Sequence, residues 1–108
     1  MAENKIKVAH WEQVRLHKHF ILDHVRNAAY RKAIMKYVRK DSVVVDVGSG
    51  SGILGFFAIQ AGCRKLYSIE KSNFILHAKE TAFNNGFQDR IEFIQSDLFK
   101  VRLPERAD

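Results

Sequence analysis

The stretch VVVDVGSGSGILG, residues 43–55, decides the fold. Its first five residues are β-branched and apolar except for Asp46, with almost no alternation. That is how a strand covered on both faces reads. Glycine then stands at positions 48, 50 and 52. Glycines at a strand end permit positive φ in the turn and let a ligand approach the backbone with no Cβ in the way. The apolar run resumes at Ile53 and predicts a helix over residues 53–61, closed by Gly62, where helices commonly turn left-handed. A strand, a glycine turn and a helix in this order form a ligand loop of the doubly wound kind.

The rest of the chain extends this unit. Residues 65–70 and 91–95 predict two more strands. Residues 73–84 predict a helix with an apolar stripe, which NNG at 84–86 ends. Ahead of the first strand, residues 14–38 predict one or two helical pieces. Tyr30, Ala33, Ile34, Tyr37 and Val38 recur there at three- and four-residue steps, on one face. KDS at 40–42 breaks the pattern. A β-α-β-α-β order behind a helical preface predicts an α/β chain, Rossmann-like, with a parallel sheet and right-handed crossovers. Residues 1–40 form the helical segment, and residues 41–108 a partial Rossmann-like domain holding strands one to three. Ligands of such sheets bind outside the carboxyl ends of the strands, where the glycine turn lies.

Composition narrows the classes. A chain of 108 residues forms one small domain with a modest core. Hydrophobic residues make up 46%, and charged residues 28%, as in soluble globular proteins. No apolar run is long enough to span a bilayer, and the first residues lack a signal-peptide core, so no membrane association is expected. The single cysteine, Cys63, excludes an internal disulfide; it reads as a packed thiol, and the expected location is cytoplasmic. The net charge of +6 comes from the front: residues 1–40 hold ten Lys/Arg against three Asp/Glu, and residues 41–108 hold eight against nine. Without interleaved aromatics to stack bases, this is a solvated helix face, and a nucleic-acid partner is not expected. His10, His17 and His24 recur every seven residues. One continuous helix would part neighbours by about 10 Å, too far to share an ion, so no metal site is expected.

Two ligand classes use a glycine turn after the first strand. The dinucleotide pattern G-x-G-x-x-G would need glycine where Ile53 stands; the chain has G-x-G-x-G. A carboxylate at Asp46 would repel a pyrophosphate at the helix N-terminus. It favours S-adenosylmethionine, which carries an ammonium and a sulfonium. Glu70 lies at the end of the second strand, 18 residues beyond Gly52, where an acidic side chain accepts from ribose hydroxyls. Asp97 follows the third strand, placed to accept from an adenine amino group or to cap a turn.

With LYSIEKS at 66–72, the run VVVDVGSGSGILGFFAIQAG at 43–62 resembles the class I S-adenosylmethionine-dependent methyltransferases. LHKHFILDHVRNAAYRKAI at 16–34 narrows the likeness to the protein arginine methyltransferase group, whose helical His, Asp, Arg and Tyr fall on His17, Asp23, Arg26 and Tyr30. The resemblance covers roughly residues 14–108. It implies that Arg26 holds the methionine carboxylate of the cofactor, as a guanidinium fork can. It places His17 over the cofactor and adds Asp46, Gly48, Ser49, Gly50, Gly52, Glu70, Lys71, Asp97 and Leu98 to the binding set. The implied cofactor is S-adenosyl-L-methionine, and the implied methyl acceptor a protein or a small molecule.

Three departures stand out. The family's paired tyrosines ahead of the histidine are missing, with Trp11 the only aromatic in KVAHWEQ. The family's adenine-binding glutamate falls on Phe99, which leaves that role to Asp97. The family's paired substrate glutamates would follow a fourth strand starting near Asp108, so no catalytic residue is assigned. The chain is thus expected to be a cofactor-binding half, inactive alone. The open edge of its first strand is expected to draw a homodimer or a partner chain that completes the sheet. The alternatives are a small-molecule or ribosomal-protein methyltransferase, and a non-catalytic cofactor-binding module.

Overall fold

A computed structural model describes residues 14–108, so His10 and Trp11 lie outside the described residues. The front segment forms two helices, α1 over residues 14–22 and α2 (His24–Tyr37). The break between them is built locally. The Asp23 carboxylate accepts the Arg26 N–H at 3.1 Å and caps α2. The buried Asn27 amide reaches back and donates to the Phe20 and Ile21 carbonyls, each at 2.9 Å. Those carbonyls end α1, so one side chain serves the orphaned acceptors of the first helix while another serves the orphaned donors of the second.

Beyond α2 come β1 (Val43–Val47), α3 (Ile53–Gln60), β2 (Lys65–Ile69), α4 (Ile75–Asn84) and β3 (Ile91–Ile94), with 3₁₀ turns at Gln88–Arg90 and Leu98–Lys100. The expected β-α-β-α-β order is present, with strand and helix ends shifted by at most two residues. The sheet is parallel in the order β1-β2-β3, and Val45 pairs with Tyr67, and Tyr67 with Glu92. Ala58, Ile59, Cys63, Leu66, Ala82 and Ile91 form the core between α3, α4 and one face of the sheet. Arg90 ties this layer together by donating to the Ile59 and Cys63 carbonyls at the end of α3. Central β2 is buried along nearly its whole length, as a parallel strand between two neighbours should be.

Two expectations need correction. The strand expected to be covered on both faces, β1, is only partly covered: burial falls from buried Val43 to exposed Val47, while its place at the edge of the sheet among the described residues is the expected one. The periodic face of α2 is also largely uncovered. Only Ile34 and Val38 pack on the core, whereas Tyr37 is 72% exposed. Periodicity marks a face, but tertiary packing determines how much of that face is covered.

The segment after β3 crosses to the free edge of β1. The Asp108 N–H donates to the Val43 carbonyl at 2.9 Å, and the Val43 N–H donates to Asp108 Oδ2 at 2.8 Å. Glu105 anchors the crossing, accepting from the Tyr67 hydroxyl at 2.7 Å and from Arg64. Tyr67 is pushed up to about 12, first by this hydrogen bond and then by burial. Glu105 is held below the ordinary carboxylate value, first by Tyr67 and then by Arg64. A depressed carboxyl pKa stabilises the fold above the unfolded value, and that contribution is lost as pH falls through the folded one. Glu105→Gln is therefore expected to lower the urea midpoint at pH 7 and to flatten its decline in acid. An unchanged midpoint at pH 7 would dissolve this anchor.

Candidate functional site

The carboxyl ends of the three strands meet in one crevice lined by Val47, Gly48, Ile69, Glu70, Lys71, Ser96, Asp97 and Leu98. Of the residues expected from sequence, Gly48, Glu70, Lys71, Asp97 and Leu98 come together here. Val47, Ile69 and Ser96 were not anticipated, although their strand-end positions could have marked them. The lining holds two acidic residues, Glu70 and Asp97, and one lysine, Lys71, a balance that suits a cationic ligand.

Glu70 organises the turn. Its Oε1 accepts the Gly50 N–H at 2.9 Å and its Oε2 the Ser72 N–H at 2.8 Å. Burial is the largest influence on this carboxyl and opposes ionisation. The Ser72 and Gly50 N–H bonds, the Ser72 hydroxyl and nearby His17 outweigh it, and the net shift is downward. Ser49 N–H donates to the Ile69 carbonyl and Gly52 N–H to the Ser49 carbonyl. A pyrophosphate would need such free N–H groups. In this turn Ser49, Gly50 and Gly52 have already committed theirs, one of them to a carboxylate.

The turn glycines are not equivalent. Gly50 has φ +54°, and a Cβ there would stand 2.7 Å from His17 Nδ1 and closer still to its Cε1. The space beside Gly50 thus belongs to α1. Gly48 has φ +65°, and a Cβ there would meet nothing within 4 Å, so Gly48 is where the crevice keeps the backbone open. Gly52 faces the Phe56 ring instead. The Ser49 hydroxyl is buried and lacks a partner, as does the Ser68 hydroxyl on β2.

His17 joins the group from α1. Its ring stacks on Phe74 with centroids 3.9 Å apart and 26° between planes. Burial lowers its pKa, partly countered by Glu70 and reinforced by His77. Neither Phe74 nor His77 was expected at the site. No local pattern signals a contact made across more than fifty residues.

The structure does not bring Asp46 or Arg26 to the crevice lining. Along a strand, side chains alternate between faces, and Asp46 turns towards α3. There its Oδ2 accepts the Gly55 N–H at 3.2 Å, beside Ile34, Leu54 and Ala58. Burial raises its pKa to about 6, the Gly55 bond works against that, and Glu70 adds to it. Arg26 donates to Asn27 Oδ1 at 3.1 Å, and its guanidinium lies 5.0 Å from the Phe20 ring centroid and 4.9 Å from that of Tyr30. Asp97 caps the turn after β3, accepting the Phe99 N–H at 3.0 Å, while Phe99 itself is 94% exposed. Among the described residues no group of three or more His, Cys, Asp or Glu is arranged to hold a metal ion.

Comparison with known proteins bears on this geometry. Residues 24–108 match the family model described as ribosomal protein L11 methyltransferase (PrmA). The histone-arginine methyltransferase CARMER of Drosophila mojavensis is 43% identical over 80% of this chain, which spans only 16% of that relative. The PRMT1 enzyme-prozyme heterotetrameric complex of Trypanosoma brucei, solved with AdoHcy, superposes with a TM-score of 0.82 at 39% identity, covering 86% of this chain and 30% of that one. Protein arginine methyltransferase 10 of Arabidopsis thaliana gives 0.81 at 35% identity, over 85% of this chain and 27% of that one. With a strand-end crevice, a glycine turn and a terminal acidic residue already in place, the chain belongs to the class I S-adenosylmethionine-dependent methyltransferases and is like the protein arginine methyltransferases among them.

Proposed function

We propose that this chain is the cofactor-binding half of an S-adenosylmethionine-dependent protein arginine methyltransferase. One observation carries the ligand class: a crevice with two carboxylates beside a glycine turn whose Ser49, Gly50 and Gly52 N–H groups are already committed. Such a site takes a cationic nucleoside in preference to a diphosphate. Likeness to arginine methyltransferases carries the acceptor class.

The residues present fit such a cofactor. Glu70 is held rigidly by two N–H donors, and each carboxylate oxygen keeps a further lone pair for a ribose hydroxyl. Gly48 leaves the backbone open. Arg26, whose guanidinium lies against two aromatic rings, would hold the methionine carboxylate. When bound, S-adenosylmethionine supplies a methyl group already activated on a sulfonium. The chain's part is then to bind, orient and exclude water, since alignment supplies much of the rate.

The proposal extends to assembly and place. The edge of β1 beyond Val43 offers pairing to a further strand or a partner chain, and the lone buried thiol of Cys63 suits the cytoplasm. The match to an L11 methyltransferase model favours a second reading, in which the acceptor is a ribosomal protein.

Titration calorimetry on the full-length protein is expected to show S-adenosylhomocysteine binding and no NADH binding. Tight NADH binding alone would sink the cofactor reading. Mass spectrometry after methyl transfer to arginine-rich peptides and to L11-type protein separates the acceptors. A methylated guanidinium supports the first reading, and a methylated amine the second.

A further inference from the structure

The contacts around Glu70 close into a circuit. Gly50 N–H donates to Glu70 Oε1, Ser72 N–H donates to Glu70 Oε2, and Phe74 N–H donates to the Ser72 hydroxyl at 3.2 Å. The Phe74 ring then lies flat on the His17 ring, which fills the space beside Gly50. The three hydrogen bonds in it are donated by backbone N–H groups; the other two links are made by His17 of α1. Of those two, the stack on Phe74 is the one that joins α1 to α4.

We propose that Phe74 is a positioning residue that holds the His17 imidazole flat over the glycine turn and thereby locks α1 onto the wall of the crevice. An imidazole on a helix has a broad, roughly two-fold final torsion. Something must choose its plane, and a parallel aromatic face does so where a branched aliphatic chain of similar volume does not. Phe74 is itself half-buried at the start of α4 and rests against His77, with centroids 4.7 Å apart. Its ring therefore has little freedom to pass on. The groups that set His17's charge are Glu70 across the turn and His77 on α4. The consequence for cofactor affinity rests on the reading given under Proposed function; the lock itself does not.

The test uses the full-length protein and three forms: wild type, Phe74→Leu and Phe74→Tyr. In unliganded wild type, NMR is expected to show the His17 ring protons shifted upfield by the facing ring. In Phe74→Leu the shift is expected to vanish and His17 to titrate closer to a free histidine. Trypsin is expected to cut at exposed Lys18 faster in that variant, although its melting cooperativity stays intact. Phe74→Tyr keeps the flat face and is expected to restore all three. S-adenosylhomocysteine affinity is expected to fall about three- to tenfold in Phe74→Leu and to recover in Phe74→Tyr. An unshifted His17 signal in wild type, or the same signal in Phe74→Leu, would overturn the lock. A wild type that shows the shift yet binds no S-adenosylhomocysteine would confirm the lock and overturn the functional reading alone.

Discussion

Replacing Asp46 by asparagine is expected to stabilise the fold at pH 7 by of order 2–3 kcal/mol. Burial raises this carboxyl from its ordinary 3.8 to about 6. Folded Asp46 therefore keeps its proton up to about pH 6, while the unfolded chain releases it near 3.8. The folded state binds more protons between those values, so stability falls as pH rises through that window. At 1.36 kcal/mol per pKa unit the gap corresponds to about 3 kcal/mol at neutral pH. An asparagine Oδ1 can still accept the Gly55 N–H, so the helix contact survives. Urea melts at pH 4 and pH 7 give the check. The gain is expected at pH 7 and is expected to be small at pH 4. Equal gains at both values would mean that Asp46 is not ionised at a cost. The paired calorimetry asks why such a carboxylate is kept. Unchanged S-adenosylhomocysteine affinity in Asp46→Asn would remove Asp46 from the binding set.

Gly50→Ala and Gly48→Ala are expected to fail in different ways. Both positions have positive φ, +54° and +65°, and an alanine there costs roughly 1–2 kcal/mol of backbone strain. At Gly50 the new methyl would also collide with the His17 ring. Displacing a packed ring adds roughly 1–3 kcal/mol, so Gly50→Ala is expected to lose about 2–5 kcal/mol and to release α1. At Gly48 the methyl meets no protein atom. Gly48→Ala is therefore expected to cost only the strain, and to abolish ligand binding if the cofactor runs past that backbone. A double variant, His17→Ala with Gly50→Ala, is expected to recover the collision term, visible as coupling in a double-mutant cycle. No coupling between the two sites would show that α1 does not rest on Gly50. Cofactor binding by Gly48→Ala at wild-type affinity would place the ligand elsewhere.

The sequence by itself determined the element order, the parallel three-stranded sheet and the strand ends that meet in the crevice. These features rest on local signals. A run of valines, a helical period and a glycine turn each act within a few residues. Chirality then leaves few ways to join strands through helices. Glu70 and Asp97 were legible for the same reason, because a residue at the carboxyl end of a parallel strand has nowhere else to go.

Only the tertiary structure decided which side each group serves. Strand alternation turned Asp46 towards Gly55 and α3, not into the crevice. The helix break at Asp23 depended on Asn27 reaching back to Phe20 and Ile21. Gly50 looked like a ligand glycine, yet its open side is filled by His17 from a helix more than thirty residues earlier. Phe74 carried no local mark at all, since its role is a ring plane presented to another ring. Such contacts depend on how distant segments are brought face to face. That is a property of packing, in which a shift of one residue or one rotamer changes the partner without altering any local pattern.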